Sequence, residues 1–299
     1  MTSELLSQII SGMPADFADP HDDYLETRQK LAPLHGHALK SDTEVSIVEV
    51  GGIRAGWLSR PSSNPERGAV LFFHGGAFVS CDLAAYLFYA EFIADWVGVP
   101  VLTTDYRLAP EHPYPAALDD CLESYEGLLG EGQAPERLVL LGDSCGGGLA
   151  LATLVRARAT GLPMPACLVS LSGWIDLDTS GYGPDAPITR DPFITEGFLR
   201  ARASDYLGDG GDSHSAWASP GRAALGGLPP LLLQVGEIDV CRRDAERVAE
   251  RARRAGVDAH LDVVTGGVHG VQGLVDLGVP EAVAAWESVR SFTDTFLPR

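Results

Sequence analysis

Short apolar runs recur along the chain from residue 69 to residue 264, each stopping at glycine, proline or a polar cluster. Ala69–Phe73, Pro100–Tyr106, Arg137–Leu141, Ala166–Leu171, Pro230–Val235 and His260–Val264 have the length and composition of strands, several of them apolar enough to be buried on both faces. Stretches near 82–97, 115–129, 145–160 and 241–255 lie between them as helices, with a last helix near 281–296. Strand, loop and helix in repeated alternation predict an α/β fold: a mostly parallel sheet with helices on both faces. Ahead of it, Glu44–Val50 and Ile53–Ser59 alternate apolar and polar residues around Gly51-Gly52, which predicts an antiparallel hairpin with a two-residue turn.

Two segments break the rhythm. Residues 1–40 read as two short helices broken near Pro14 and Pro20, the first carrying Leu5, Leu6, Ile9, Ile10 and Met13 at an amphipathic period. Residues 178–225 mix Gly, Pro and Asp with aromatics and read as an insertion over the sheet edge. The core is therefore expected over 41–177 and 226–299, with 1–40 and 178–225 set apart from it.

Composition narrows the function classes. A chain of 299 residues with 45 % hydrophobic positions can build one large α/β core. No run approaches the roughly 20 apolar residues of a membrane span, and Met1–Phe17 has neither a basic leader nor a small-residue cleavage site. Five scattered cysteines (81, 121, 145, 167, 241), with no metal-ligand spacing, fit reduced thiols and a cytoplasmic location. A net charge of −19 argues against nucleic acid and against anionic membranes, since both need a positive face.

The chemistry gathers around Leu138-Val139-Leu140-Leu141-Gly142-Asp143-Ser144-Cys145-Gly146. A serine between two glycines, where a buried strand turns into a helix, is the G-x-S-x-G elbow that lifts a nucleophile above a sheet edge. A serine hydroxyl is a weak nucleophile until a base takes its proton. In the order that goes with this elbow, an acid and then a histidine follow the serine. Three histidines do. His214 lies in the polar insertion and His260 begins a strand, whereas His269 sits in the loop Thr265-Gly266-Gly267-Val268-His269-Gly270 just after the last strand. His269 is the expected base. Asp239, in the loop after Leu231–Val235, is the expected acid; Glu237 and Asp244 compete with it. Upstream, His74-Gly75-Gly76-Ala77-Phe78 follows the first parallel strand. Its glycines free successive backbone N–H groups to aim at one point, with the N–H of Cys145 as a third donor to an oxyanion. His74 precedes the serine and reads as an orienting residue.

Together with Asp105-Tyr106-Arg107-Leu108-Ala109-Pro110-Glu111-His112-Pro113-Tyr114-Pro115, these motifs resemble the hormone-sensitive-lipase family of α/β-hydrolases over about residues 45–299. The resemblance implies a Ser144–His269–Asp239 triad, an oxyanion hole from Gly75, Gly76 and Cys145, and a helical cap made from residues 1–40 and 178–225. It also implies hydrolysis of neutral esters with short to medium acyl chains, without metal or cofactor. Lactone hydrolysis, small-molecule deacetylation and a non-catalytic receptor are the alternatives. Phe17, Phe78, Tyr182 and Phe198 are candidate pocket residues, and Arg107 is expected to pair with Glu111. Family members dimerise through the last strands and C-terminal helix, so a homodimer is the implied assembly. The chain departs from the family pattern at Cys145 (usually alanine), Gly148 (usually asparagine), Gly173 and Val240 (often proline). The Cys145 thiol reads either as a small buried side chain or as a reactive thiol activated at a helix N-terminus.

Overall fold

A computed structural model describes residues 2–14, 17–34, 37–179 and 191–298. Helices α1 (Glu4–Gly12) and α2 (Tyr24–Leu31) precede a hairpin of β1 (Glu44–Val50) and β2 (Ile53–Ser59). Both turn residues, Gly51 and Gly52, take positive φ (62° and 81°), as the expected two-residue turn requires. The core then runs β3 (Ala69–Phe73), α3 (Leu83–Val97), β4 (Val101–Thr104), α4 (Ala116–Gly130), β5 (Leu138–Asp143), α5 (Cys145–Ala159) and β6 (Cys167–Leu171). After the insertion, which contains α6 (Glu196–Leu207), come β7 (Leu231–Gly236), α7 (Arg242–Arg254), β8 (Ala259–Val264) and α8 (Pro280–Phe296).

The eight strands lie in the order β1-β2-β4-β3-β5-β6-β7-β8. β1, β2 and β4 pair antiparallel, and every pair from β4 to β8 is parallel. Successive side chains of a strand point to opposite faces, so the continuous apolar runs feed two cores. Leu71, Phe73, Leu140, Leu168 and Leu233 meet Leu118, Tyr125, Leu154 and Val248 of α4, α5 and α7. Val70, Phe72, Leu141, Val169 and Leu232 meet Phe88, Phe92, Trp286 and Val289 of α3 and α8. This is the α/β-hydrolase architecture expected from the sequence. The β3–α3, β5–α5, β7–α7 and β8–α8 connections all leave the carboxyl ends of their strands, which brings the four chemistry-bearing loops to one edge.

Arginines tie the segments outside the core to each other and to it. Arg202 of α6, only 3 % exposed, donates to the carbonyls of Asp22 and Asp23 and to Thr27 Oγ1, joining α6 to α2. Arg28 of α2 donates to Val79 O (2.6 Å) and pairs with Glu111. The expected Arg107–Glu111 pair does not form. Their four-residue spacing would bring them together only on a helix, and this stretch is not helical. Arg107 instead holds Asp120 of α4 at 2.6 Å.

Candidate active site

At the elbow, β5 turns into α5 with Ser144 at φ 52° and ψ −121°, a strained conformation for a residue with a side chain. Crowding explains the flanking glycines: a Cβ on Gly142 would lie 2.1 Å from Gly146 O, and one on Gly146 would lie 2.0 Å from Phe73 O. The backbone of Ser144 is pinned on both sides. Its N–H donates to Leu171 O and its carbonyl accepts from Trp174 N, each at 2.9 Å.

His269 follows β8 and reaches across to both partners. Its Nε2 lies 2.9 Å from Ser144 Oγ, and its Nδ1 lies 3.0 Å from Asp239 Oδ1. A carboxylate only accepts, so Nδ1 carries the proton and Nε2 is left to accept from the serine hydroxyl. Asp239 is fully buried, and Oδ1 also accepts from Cys241 N at 2.7 Å. Its competitors are engaged elsewhere. Glu237 accepts from Gly266 N, and Asp244 caps Ile175 N and Asp176 N while pairing with Arg247. His214 and His260 are surface residues beside Asp178 and Asp258.

Burial works against a charged His269, but the carboxylate of Asp239, its hydrogen bond, and the further charges of Asp191 and Asp143 outweigh it. The imidazole pKa is raised to about 9. Asp143 lies immediately before the serine. It is held up to about 6 by burial, while Tyr86 donates to Oδ2 at 2.9 Å and Tyr89 to Oδ1 at 3.5 Å. Asp239, Cys241 and His269 cluster closely enough to be considered as metal ligands. The donor set does not suit one: both imidazole nitrogens are committed, and burial pushes the Cys241 thiol far up, away from thiolate.

The Gly75-Gly76 loop follows β3 beside the elbow. A Cβ on Gly75 would sit 2.6 Å from both Asp143 Oδ2 and Tyr86 Oη, and Gly76 takes φ 116°. His74 is fully buried and stacked on Tyr106. Its Nδ1 donates to Gly75 O at 2.7 Å, and burial lowers its pKa, so it stays neutral beneath the loop. Cys145 Sγ accepts from Phe78 N at 3.2 Å. The thiol is buried and pushed up to about 12 by desolvation, which favours the inert reading over the reactive one.

Ser144 and His269 open into a cavity of about 410 Å³. One wall comes from α3 and the segment after His269: Tyr86, Phe88, Tyr89, Phe92, Gly273 and Leu274. The other comes from α2, its approach and the insertion: Phe17, Leu31, Phe193, Ile194, Phe198 and Leu199. Phe17 and Phe198 therefore line the cavity. Phe78 does not. Ala77 and Phe78 both take positive φ, the chain turns away, and the Phe78 ring stacks on Tyr206 of α6 at 3.8 Å, 2 % exposed. Tyr182 falls outside the described residues.

Two acidic residues close to the site, Asp143 and Asp191, were not reached by reasoning from the sequence. Asp143 carries a signal, since it sits inside the elbow motif. Asp191 lies in the insertion, where no periodicity or motif marks it.

A family model described as an alpha/beta hydrolase fold matches residues 70–273. The chain is 38 % identical over 210 residues to an acetyl-hydrolase of Streptomyces hygroscopicus, covering 70 % of this chain and 69 % of that protein. It is 30 % identical over 249 residues to an esterase of Acinetobacter venetianus, covering 83 % and 81 % of the two. A crystal structure of an esterase from the bacterial hormone-sensitive lipase family matches with TM-score 0.91 and 35 % identity, covering 99 % of both chains. The elbow, the loops around it and the fold that carries them thus have a common origin with these proteins: the chain belongs to the hormone-sensitive-lipase family of α/β-hydrolases.

Proposed function

We propose that the chain is a serine carboxylesterase acting on neutral esters with short to medium acyl chains. The observation that carries this reading is the relay of Ser144, His269 and Asp239, at 2.9 and 3.0 Å, opening into an apolar cavity. The names of its relatives, esterase and acetyl-hydrolase, agree with it.

His269 takes the serine proton as Oγ attacks the ester carbonyl, and Asp239 stabilises the resulting imidazolium without accepting its proton. The developing oxyanion is held by the backbone N–H groups of Gly75, Gly76 and Cys145; a donor of this kind is worth about 2.7–4 kcal/mol. The imidazolium then protonates the leaving alcohol. Water, deprotonated in turn by His269, attacks the acyl-enzyme and releases the acid. Residues 1–40 and 178–225 act as a cap that supplies one apolar wall of the cavity.

Hydrolysis of p-nitrophenyl acetate, butyrate, octanoate and palmitate by wild type, Ser144→Ala, His269→Ala and Asp239→Asn tests the reading. Turnover of the shorter esters by wild type, with collapse in all three variants, is the expected result. A wild type inert on every ester, but binding a small acid tightly, would replace the esterase by the receptor reading.

A further inference from the structure

Asp191 opens the part of the insertion that is described after residue 190, and it is 7 % exposed. Its two carboxylate oxygens do different things. Oδ1 accepts from Phe193 N (2.8 Å) and Ile194 N (3.4 Å), fixing the start of the segment that leads into α6. Oδ2 accepts from His269 N (2.9 Å) and Val240 N (3.3 Å), the backbones of the two loops that carry the base and the acid. One side chain therefore ties the insertion to both loops at once.

An ordinary structural pin does not explain this placement. Asp191 lies within electrostatic reach of the buried carboxylate of Asp239, and among the described residues it accepts only from backbone N–H groups. Two carboxylates close together in a desolvated site disfavour each other's ionisation. Burial and the Asp239 charge hold Asp191 up to about 6. Among the described residues, the titratable groups around it are Asp239 from the loop after β7, Cys241 at the start of α7 and His269 from the loop after β8. Asp143 acts on the same imidazole from β5. The positive charge at the centre of this group is the protonated His269, formed from solvent below its raised pKa and from Ser144 during attack, and that charge is what a second carboxylate favours.

We propose that Asp191 is a positioning residue for the triad, one that holds the His269 and Val240 backbones in register and adds a second negative charge to the field of the imidazolium. The proposal rests on the Ser144–His269–Asp239 reading above. It makes the insertion part of the catalytic apparatus as well as a wall of the pocket.

Asp191→Asn and Asp191→Ala, compared with wild type, separate this role from simple packing. On p-nitrophenyl butyrate, plateau kcat is expected to fall about 10- to 100-fold in Asp191→Ala, the scale of a small misplacement of catalytic groups. Asp191→Asn, which keeps an acceptor oxygen but not the charge, is expected to fall less. KM changes little in either. The acid limb of kcat/KM, and the His269 ring titration followed by NMR, move to lower pH by about half a pH unit or more, because the imidazolium has lost a nearby anion. The NMR titration needs no turnover, so it reports on Asp191 even if wild type hydrolyses no ester, a result that would count against the esterase reading alone. Thermal melts identify a misfolded Asp191→Ala, leaving Asp191→Asn to decide. A His269 titration unmoved in the folded variants overturns the proposal, as does a loss confined to KM.

Discussion

Gly273→Leu fills the α3 wall of the cavity without straining the backbone. Gly273 lines the pocket and has an ordinary φ, and a Cβ built there meets only Tyr89 Cε2, at 3.4 Å, an ordinary contact. The substitution also reduces the freedom of the unfolded chain, worth about 0.4–1 kcal/mol in favour of the variant. Beyond the Cβ, leucine places three more carbons in space that a substrate chain otherwise takes. Each methylene moved from water into an apolar wall is worth ~0.8 kcal/mol, which is about fourfold in kcat/KM. The four methylenes that separate octanoate from butyrate are then worth at most about 3 kcal/mol, or roughly 200-fold, in wild type. In Gly273→Leu most of that advantage disappears, while acetate, too short to reach the wall, stays within about twofold. Steady-state kinetics on the p-nitrophenyl series, with acyl length the only variable, reads the ratio directly. An octanoate-to-butyrate ratio equal in both proteins would show that acyl chains do not pack on this wall. Equal losses on acetate and octanoate would show that the leucine disturbs the site instead of filling it.

Other expectations are as specific. The base must be neutral, so kcat/KM falls as pH drops through the His269 pKa; because that pKa is raised, to about 9, the acid limb lies above the ordinary 6.5 and the optimum is alkaline. In Asp239→Asn the limb moves down and the plateau drops by about 10⁴; a wild-type limb at or below 6.5 contradicts the field described for the site. Tyr86→Phe removes the 2.9 Å bond to the buried Asp143 carboxylate, and denaturant melts are expected to show a loss of about 1.5–3 kcal/mol, less what Tyr89 recovers. Brief exposure to iodoacetamide leaves activity intact, because the Cys145 thiol is buried and held near 12; inactivation of wild type but not of Cys145→Ala would refute this. Gly148→Asn, although it restores the usual family residue, destabilises this chain by about 1–3 kcal/mol in thermal melts, since a Cβ there would lie 2.2 Å from Trp174 O.

The sheet and the meeting of Ser144, His269 and Asp239 were legible in the sequence because each leaves a local mark. Strands buried on both faces call for apolar runs: β3 and β5 have unbroken ones, and β7 is interrupted only by Gln234. The elbow needs glycines on either side of Ser144, and the order of the chain then leaves few candidates for acid and base. What stayed hidden depends on direction and on partners distant in sequence. The aromatic character of Phe78 is visible, but the positive φ that turns its ring towards Tyr206 is not. Arg107 and Glu111 have helical spacing in a stretch that is no helix, so their true partners, Asp120 and Arg28, lie 13 and 83 positions away. Asp191 is one acidic residue among many in an aperiodic insertion. Only the folded loops show what its carboxylate holds.

The stack of Phe78 on Tyr206 has a consequence for how the protein can change. Phe78 lies two residues beyond Gly76, and Tyr206 belongs to the same helix as Phe198 of the cavity wall. A mutation in α6 that reshapes the pocket therefore also shifts the platform on which the glycine loop rests. Selection for a new substrate through this helix will seldom leave turnover untouched, and gains in specificity are expected to arrive with losses in rate. Compensating changes are then expected near Phe78 and Trp174, which do not line the cavity.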